Sequence, residues 1–282
     1  MTKHAWWPSS PCGPGCITGQ EPTVGWLRAA LRMAALVAVV LLSLLCVVFL
    51  PLAGRRGRNW LTRAIFRGVL LAMGVKLVAH GAIPGPGRGM LVVNNHMSWL
   101  DIVAVNAVRP MRAVAKKDIA SWPVLGWLVS AARSVYVDRE NIRSLPGTVA
   151  ALADTLRTGS MVNVTPEGTT WCGLTHGRFR PALFQAAIDG GVPVLPVALR
   201  FRTKNGGRTT APAFIGDETI IDSVRRTARL RGLVLEVHVR NEIAPGRAAD
   251  RRALAALAER AVDEVLVPAE KHWTSSAVEV AR

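Results

Sequence analysis

GMLVVNNHMSWLDIVAV, residues Gly89 to Val105, is the stretch on which the reading of this chain turns. Met90 to Val93 is a short apolar run of strand character, and it delivers two asparagines and His96 directly after it. Asp101 follows five residues beyond the histidine. On one ideal helix, residues five apart point about 140° away from each other. The imidazole and the carboxylate can therefore meet only if His96 sits in the turn entering a helix and Asp101 lies inside it. Such an arrangement suits a working site better than a packed core.

Working outward, short β-branched runs alternate with helical patterns. Strands are expected at Met90–Asn94, Arg112–Ala115, Ser134–Val137, Met161–Val164, Val192–Leu199 and Leu233–Val239. Helices are expected around Trp99–Val108, Trp122–Ala131, Ser144–Thr158, Pro181–Asp189 and Asp250–Val265. This alternation predicts an α/β fold: a mixed, largely parallel sheet flanked by helices. Ligands of such sheets collect at the carboxyl ends of the strands. Three of those ends carry suggestive residues: Asn95-His96, VDRE (Val137 to Glu140) and TPEGTT (Thr165 to Thr170). The segment from Ala115 adds Lys116 and Lys117, so one edge would gather an imidazole, carboxylates and cations.

The chain has 282 residues, half of them apolar, and a net charge of +16 from 35 Lys+Arg against 19 Asp+Glu. That excess implies anionic partners, whether nucleic acid, acidic lipid or a phosphorylated ligand. Met33 to Leu50 contains no charge and Ser43 as its one polar residue, about the length that crosses a bilayer core of roughly 30 Å. Arg55, Arg56 and Arg58 follow at once, which predicts a cytoplasmic downstream domain, although Arg28 and Arg32 weaken the asymmetry. A cleaved signal peptide fits less well, since no small-x-small site precedes the arginines. Residues 1–25, rich in Pro, Gly and Ser, read as a disordered tail, residues 26–54 as a transmembrane helix, and residues 55–80 as an interfacial amphipathic helix. For Trp60 to Ala79 an ordinary core-facing helix is an equal alternative. GAIPGPGRG (Gly81 to Gly89) breaks the chain before a domain spanning 81–270, and 271–282 form a C-terminal tail.

Cys12, Cys16, Cys46 and Cys172 make no disulfide framework for a chain of this size. Cys12 and Cys16 bracket a flexible Gly-Pro-Gly and could pair, bind metal or simply belong to the tail. His176 and His238 form no ligand-spaced cluster with His96, so no metal site is expected. Arg225 to Arg231 read either as a solvated helix face or as a docking patch for membrane or carrier protein. Asn163-Val164-Thr165 matches a glycosylation sequon by accident of composition at a strand end.

A neutral imidazole can accept a proton at working pH, and a carboxylate on its far nitrogen fixes the tautomer. No Gly-x-Ser-x-Gly elbow supplies a protein nucleophile, and Ser98 reads as a helix cap. A substrate hydroxyl would then do the attacking. His-x-x-x-x-Asp and Pro-Glu-Gly are each weak signals, but their joint occurrence in this order about 70 residues apart is specific.

From Gly89 to Leu199 the chain resembles the glycerolipid (lysophosphatidic acid) acyltransferase family. NNHMSWLD resembles its first motif and AKKDIASWPVLGWLVSAARSVYVDRE its second, with Lys117, Pro123, Gly126 and Arg139 in matching places. VTPEGTTW resembles the third, and GVPVLPVAL, with Pro193 and Pro196, the fourth. The resemblance implies His96 as the base and Asp101 as its orienting acid. It also implies Glu167, Gly168, Thr169 and Thr170 as binders of the acceptor head, with Lys116, Lys117 and Arg139 for an anionic group. Acyl-CoA or acyl-carrier protein would be co-substrate, a lysolipid the acceptor, and an anionic membrane the surface on which they meet; no bound cofactor is implied. One departure stands out: Thr170 occupies the place where the family usually has arginine, which puts the acceptor's headgroup in question and leaves a lyso-ornithine lipid or a larger lysophospholipid in play. The rival from another class, a non-catalytic membrane-tethered binder of anionic lipid or nucleic acid, rests on charge alone, and no nucleic-acid motif accompanies it.

Overall fold

The computed structural model describes residues 8–17, 20–49, 53–85, 87–123, 125–138 and 141–267. Its seven strands are β1 (Lys76–His80), β2 (Met90–Asn94), β3 (Arg112–Lys116), β4 (Val135–Val137), β5 (Met161–Val164), β6 (Val194–Thr203) and β7 (Leu233–Val239). They form one sheet in the order β1-β7-β6-β2-β5-β3-β4. Strands β6, β2, β5, β3 and β4 run parallel, while β7 opposes β6 and carries β1 parallel to itself. The largely parallel sheet expected from the sequence is therefore present, with a reversed pair at one edge.

Eight helices accompany it among the described residues: α1 (Trp26–Phe49), α2 (Arg55–Met73), α3 (Leu100–Val108), α4 (Leu125–Ala131), α5 (Leu145–Arg157), α6 (Gln185–Gly190), α7 (Ile220–Arg229) and α8 (Arg251–Leu266). Alternation along β2 divides the core in two, because successive side chains of a strand leave opposite faces. Met90 and Val92 join α2, α3 and β7 in one apolar layer, and Leu91 and Val93 join α5, α6 and α8 in the other. All five residues of β2 are buried. A strand covered on both faces reads as a continuous apolar run.

The segment after α1 departs from expectation. One helix was expected across 55–80; instead α2 ends at Met73, where Gly74 adopts φ +67° and donates to the carbonyls of Leu70 and Leu71. A glycine can take that left-handed conformation without steric cost, and it stops the helix. Lys76–His80 then becomes the edge strand β1, paired along its length with β7. Helix α2 packs against α3 and α1, and Nε of Arg63 and of Arg67 donate to the carbonyl of Ala107. Arg63 and Arg67, two cations of the segment expected to be interfacial, thus cap a neighbouring helix end, although Trp60 and Leu71 remain exposed.

Helix α1 is long and apolar enough to cross a membrane, by length and composition, over Trp26–Cys46, with mean hydropathy 2.4. Its outer face exposes Leu31, Val37, Leu41, Leu42 and Leu45. Its start is stitched to the domain that also follows it. Chain on both sides of α1 therefore meets one domain, and the single-pass span expected over 26–54 does not fit this arrangement. Nη1 of Arg32 donates to the carbonyls of Ala228 and Leu230 at 2.9 and 2.7 Å, and Val24 N donates to Arg229 O at 2.8 Å. A hydrogen bond to a charged group contributes about 1.5–3 kcal/mol. Arg32→Met is accordingly expected to lower stability by about 3 kcal/mol, read as an earlier thermal midpoint of the detergent-solubilised chain. An unchanged midpoint would mean that this junction carries no load.

Residues 8–17, expected to be unstructured, lie on the domain: Cys12 is buried, and Pro8 sits against Gly168. Leu50, Lys3, Arg139 and the tail 271–282 lie outside the described residues. Arg225 and Arg229 of α7 are exposed, whereas Arg226 turns inward to Glu218 and to the carbonyls of Ala211 and Ala213. The basic run thus divides between a solvated face and a structural cation.

Candidate active site

The site is built at the carboxyl end of β2, the central strand, flanked by β5 and β6. The chain leaves β2 through Asn95-His96-Met97-Ser98 and enters α3 at Leu100, so His96 stands in the entering turn and Asp101 in the first helical turn. Nδ1 of His96 lies 2.9 Å from Oδ2 of Asp101. The same oxygen accepts the backbone N–H groups of Met97 at 2.6 Å and Ser98 at 2.8 Å. One carboxylate therefore shapes the turn and faces the ring together. The Asp101 side chain is 1% exposed and that of His96 24%. With the carboxylate on Nδ1, the ring proton belongs there and Nε2 is left as the acceptor. Ser98 is fully buried, and its hydroxyl lies 3.4 Å from the amide of Leu100, so it belongs to the turn rather than to the chemistry.

The two asparagines have separate structural tasks. Asn95 donates through Nδ2 to Leu199 O at 3.0 Å and accepts Leu199 N through Oδ1 at 2.8 Å, continuing the β2–β6 ladder by one side chain. Asn94 donates to Asn95 O at 2.7 Å. The loop is also held from outside, by Trp171 N on His96 O and Phe214 N on Met97 O, each at 2.8 Å.

Glu167 is tied to the main chain of the histidine turn. It is 3% exposed; Oε1 accepts the amide of His96 at 2.8 Å, and Oε2 accepts that of Gly177 at 3.0 Å. Each oxygen thus accepts a main-chain amide, and the residue braces the histidine turn against the 165–177 loop. Burial pushes its pKa up to about 8, against the pull of the Gly177 and His96 amides and with added repulsion from Asp101 and Glu259.

The other expected residues divide. Gly168 (φ +77°) turns the chain beneath Pro8, where a side chain would collide, and Thr169 and Thr170 follow half-buried, leading to Trp171 and its bond to His96. Lys116 ends β3, paired with Asp118, and Lys117 lies 3.2 Å from Asp138. Both stand at the same edge but two strands from β2 and already face carboxylates. Arg139 lies outside the described residues. His176 pairs with Asp263, and His238 stacks on His80 beside Glu236, so neither joins His96. An apolar cavity of about 130 Å³ opens beside the Pro166–Gly168 turn, among Val114, Val137, Val164 and Leu183.

Residues 76–200 match the family model named Acyltransferase. The chain is 37% identical to a 1-acyl-sn-glycerol-3-phosphate acyltransferase of Neisseria gonorrhoeae, over 64% of this chain and 71% of that one. It belongs to the acyltransferase family. This acyltransferase is also 32% identical to a lyso-ornithine lipid O-acyltransferase of Pseudomonas aeruginosa, over 84% of its own length and 92% of the relative's. Its fold matches the crystal structure of the 1-acyl-sn-glycerophosphate acyltransferase of Thermotoga maritima with a TM-score of 0.69, at 18% identity, over 88% of this chain and 97% of that one. The family, the enzyme class and the mixed sheet expected from the sequence motifs are those found.

Proposed function

We propose that this acyltransferase moves a fatty acyl group from a thioester donor, acyl-CoA or acyl-carrier protein, to the free hydroxyl of a lysoglycerolipid at the cytoplasmic face of the cell membrane. 1-Acyl-sn-glycerol-3-phosphate is the leading acceptor. The observation that carries the reading is the 2.9 Å pairing of His96 Nδ1 with Asp101, which leaves Nε2 as a base at the carboxyl end of β2. Nε2 takes the proton of the lipid hydroxyl as its oxygen attacks the thioester carbonyl. The C–S bond then breaks and the sulfur departs as a thiolate, which needs no strong acid. Asp101 balances the imidazolium until the proton returns to solvent or to the thiolate. The cavity beside the Pro166–Gly168 turn supports seating of apolar chain along the ends of β3, β4 and β5. The exposed apolar face of α1, followed by Arg55, Arg56 and Arg58, supports a bilayer location, each cation near anionic lipid contributing about 1 kcal/mol.

A second reading, transfer to a lyso-ornithine lipid, is favoured by Thr170 and by the long match to the Pseudomonas aeruginosa relative. Purified protein given a labelled acyl thioester and separate vesicles of lysophosphatidic acid, lysophosphatidylcholine and lyso-ornithine lipid separates the two. Preference for the phosphate monoester supports the leading acceptor, and preference for lyso-ornithine lipid replaces it. Thr170→Arg restores a charge-assisted contact of about 1.5–3 kcal/mol and is expected to raise kcat/KM for lysophosphatidic acid about ten-fold. No gain would place residue 170 away from the headgroup.

A further inference from the structure

The fold brings Cys12 and Cys16 of the N-terminal segment to Cys172, five residues beyond Glu167. The three sulfur atoms all lie within 4.8 Å of one another. We propose that Cys12, Cys16 and Cys172 form a three-thiolate site for zinc, clasping the N-terminal segment onto the loop that braces His96.

Sequence spacing offered two of these ligands and no third, because Cys172 is 160 residues from Cys12. All three are free thiols. Cys12 and Cys172 are buried, and Ala213, Ile215, Ile17 and Trp171 pack around the group. Cys12 Sγ accepts the amide of Cys172 at 3.3 Å. The amides of Leu174 and Thr175 turn onto Cys172 Sγ, past Gly173 at φ +90°. A turn that aims successive N–H groups at a sulfur stabilises charge on it, and a metal-bound thiolate requires that stabilisation.

Tetrahedral zinc with bonds of ~2.3 Å sets its sulfurs ~3.8 Å apart, so the cluster needs to tighten by about 1 Å at most. The Thr175 hydroxyl lies 3.8 and 3.7 Å from Cys12 and Cys172 Sγ, and that oxygen or a water would supply the fourth ligand. On binding, each thiol gives its proton to solvent, and nothing is oxidised or reduced. The other cluster of possible ligands, His80, Glu236 and His238, is unlike this one, since Arg200 and Arg202 already occupy its carboxylate.

The clasp reaches the site by a short path. Trp171, which bonds the carbonyl of His96, is covalently joined to Cys172, and the same N-terminal segment places Pro8 over Gly168. The site does not depend on which lipid the enzyme acylates.

The test uses the full chain, purified in detergent without oxygen from zinc-supplied cells. Mass spectrometry of metals is expected to find about one zinc per chain, and cobalt added to zinc-stripped protein to give intense sulfur-to-cobalt charge-transfer absorption of a tetrahedral site. Cys12→Ser, Cys16→Ser and Cys172→Ser are each expected to weaken cobalt binding at least ten-fold, while Cys46→Ser leaves it unchanged. Zinc is expected to protect the segment ahead of α1 from limited proteolysis. Wild-type protein with neither zinc nor a cobalt spectrum overturns the proposal, and this readout needs no variant to fold. So does a Cys12–Cys16 or Cys12–Cys172 disulfide in metal-free protein alkylated directly from cells, or equal loss of binding in Cys46→Ser. Protection independent of zinc overturns the clasp.

Discussion

His96→Ala is expected to lower the rate of acyl transfer by about 10²–10⁴-fold, the range that general-base assistance contributes. The fold should survive, because the bonds that hold this residue in place, His96 N to Glu167 and Trp171 N to His96 O, belong to the main chain and remain available to alanine. The lost side chain is partly exposed and packs no large volume, so the thermal midpoint should move little. The measurement is thioester consumption followed with a thiol-reactive dye, alongside a circular-dichroism melt of the same preparation. A variant that keeps full activity would remove the imidazole from the mechanism. Asp101→Ala provides an informative contrast, since Asp101 Oδ2 also holds the amides of Met97 and Ser98, and its loss should reduce stability as well as rate.

Glu167→Ala is expected to damage both properties together. It strips partners from two amides, those of His96 and Gly177, and each buried N–H left unpaired costs about 1–3 kcal/mol. A loss of about 2–6 kcal/mol would bring a chain of ordinary stability close to unfolding. Glu167→Gln keeps one acceptor and should fall between alanine and wild type, with KM for the acceptor little changed. A Glu167→Gln variant with normal kcat but strongly raised KM would assign this residue to the headgroup.

The same acid gives a pH signature. Its folded pKa, about 8, lies above the ordinary 4.5, so folding takes up a proton between those values. The stabilisation is fully present below about pH 4.5 and is lost as pH rises through about 8. Wild-type melting temperature should therefore fall between about pH 5 and pH 8 more steeply than that of Glu167→Gln, with the two curves parallel above about pH 9. Parallel curves for the two proteins over the lower range would show that Glu167 does not titrate there.

Sequence reasoning recovered β2, β5 and β7 residue for residue, because each is a short apolar, β-branched run bounded by turn residues. It missed β1, whose five residues continue the helical pattern of α2. The available signal was Gly74, a helix stop, while the strand itself depends on β7, more than 150 residues away. Helix α7 was visible as a basic run and nothing more: its high charge hid a helix start at Thr219, whose hydroxyl accepts the amide of Asp222. At the site, the His96–Asp101 pairing was legible because both residues lie in one local turn. The bracing role of Glu167 was not, since a sequence shows that a carboxylate stands in a turn but not where its two oxygens point. The convergence of Cys12, Cys16 and Cys172 is a purely tertiary fact.

The bonds from Arg32 to the end of α7 tie the start of the apolar helix to the catalytic domain. Anchored through α1, the enzyme would patrol the bilayer as one rigid raft, its histidine at a constant height above the lipid plane. Turnover would then follow the surface density of acceptor in that plane rather than its bulk concentration. The water-borne thioester alone would have to travel through three dimensions.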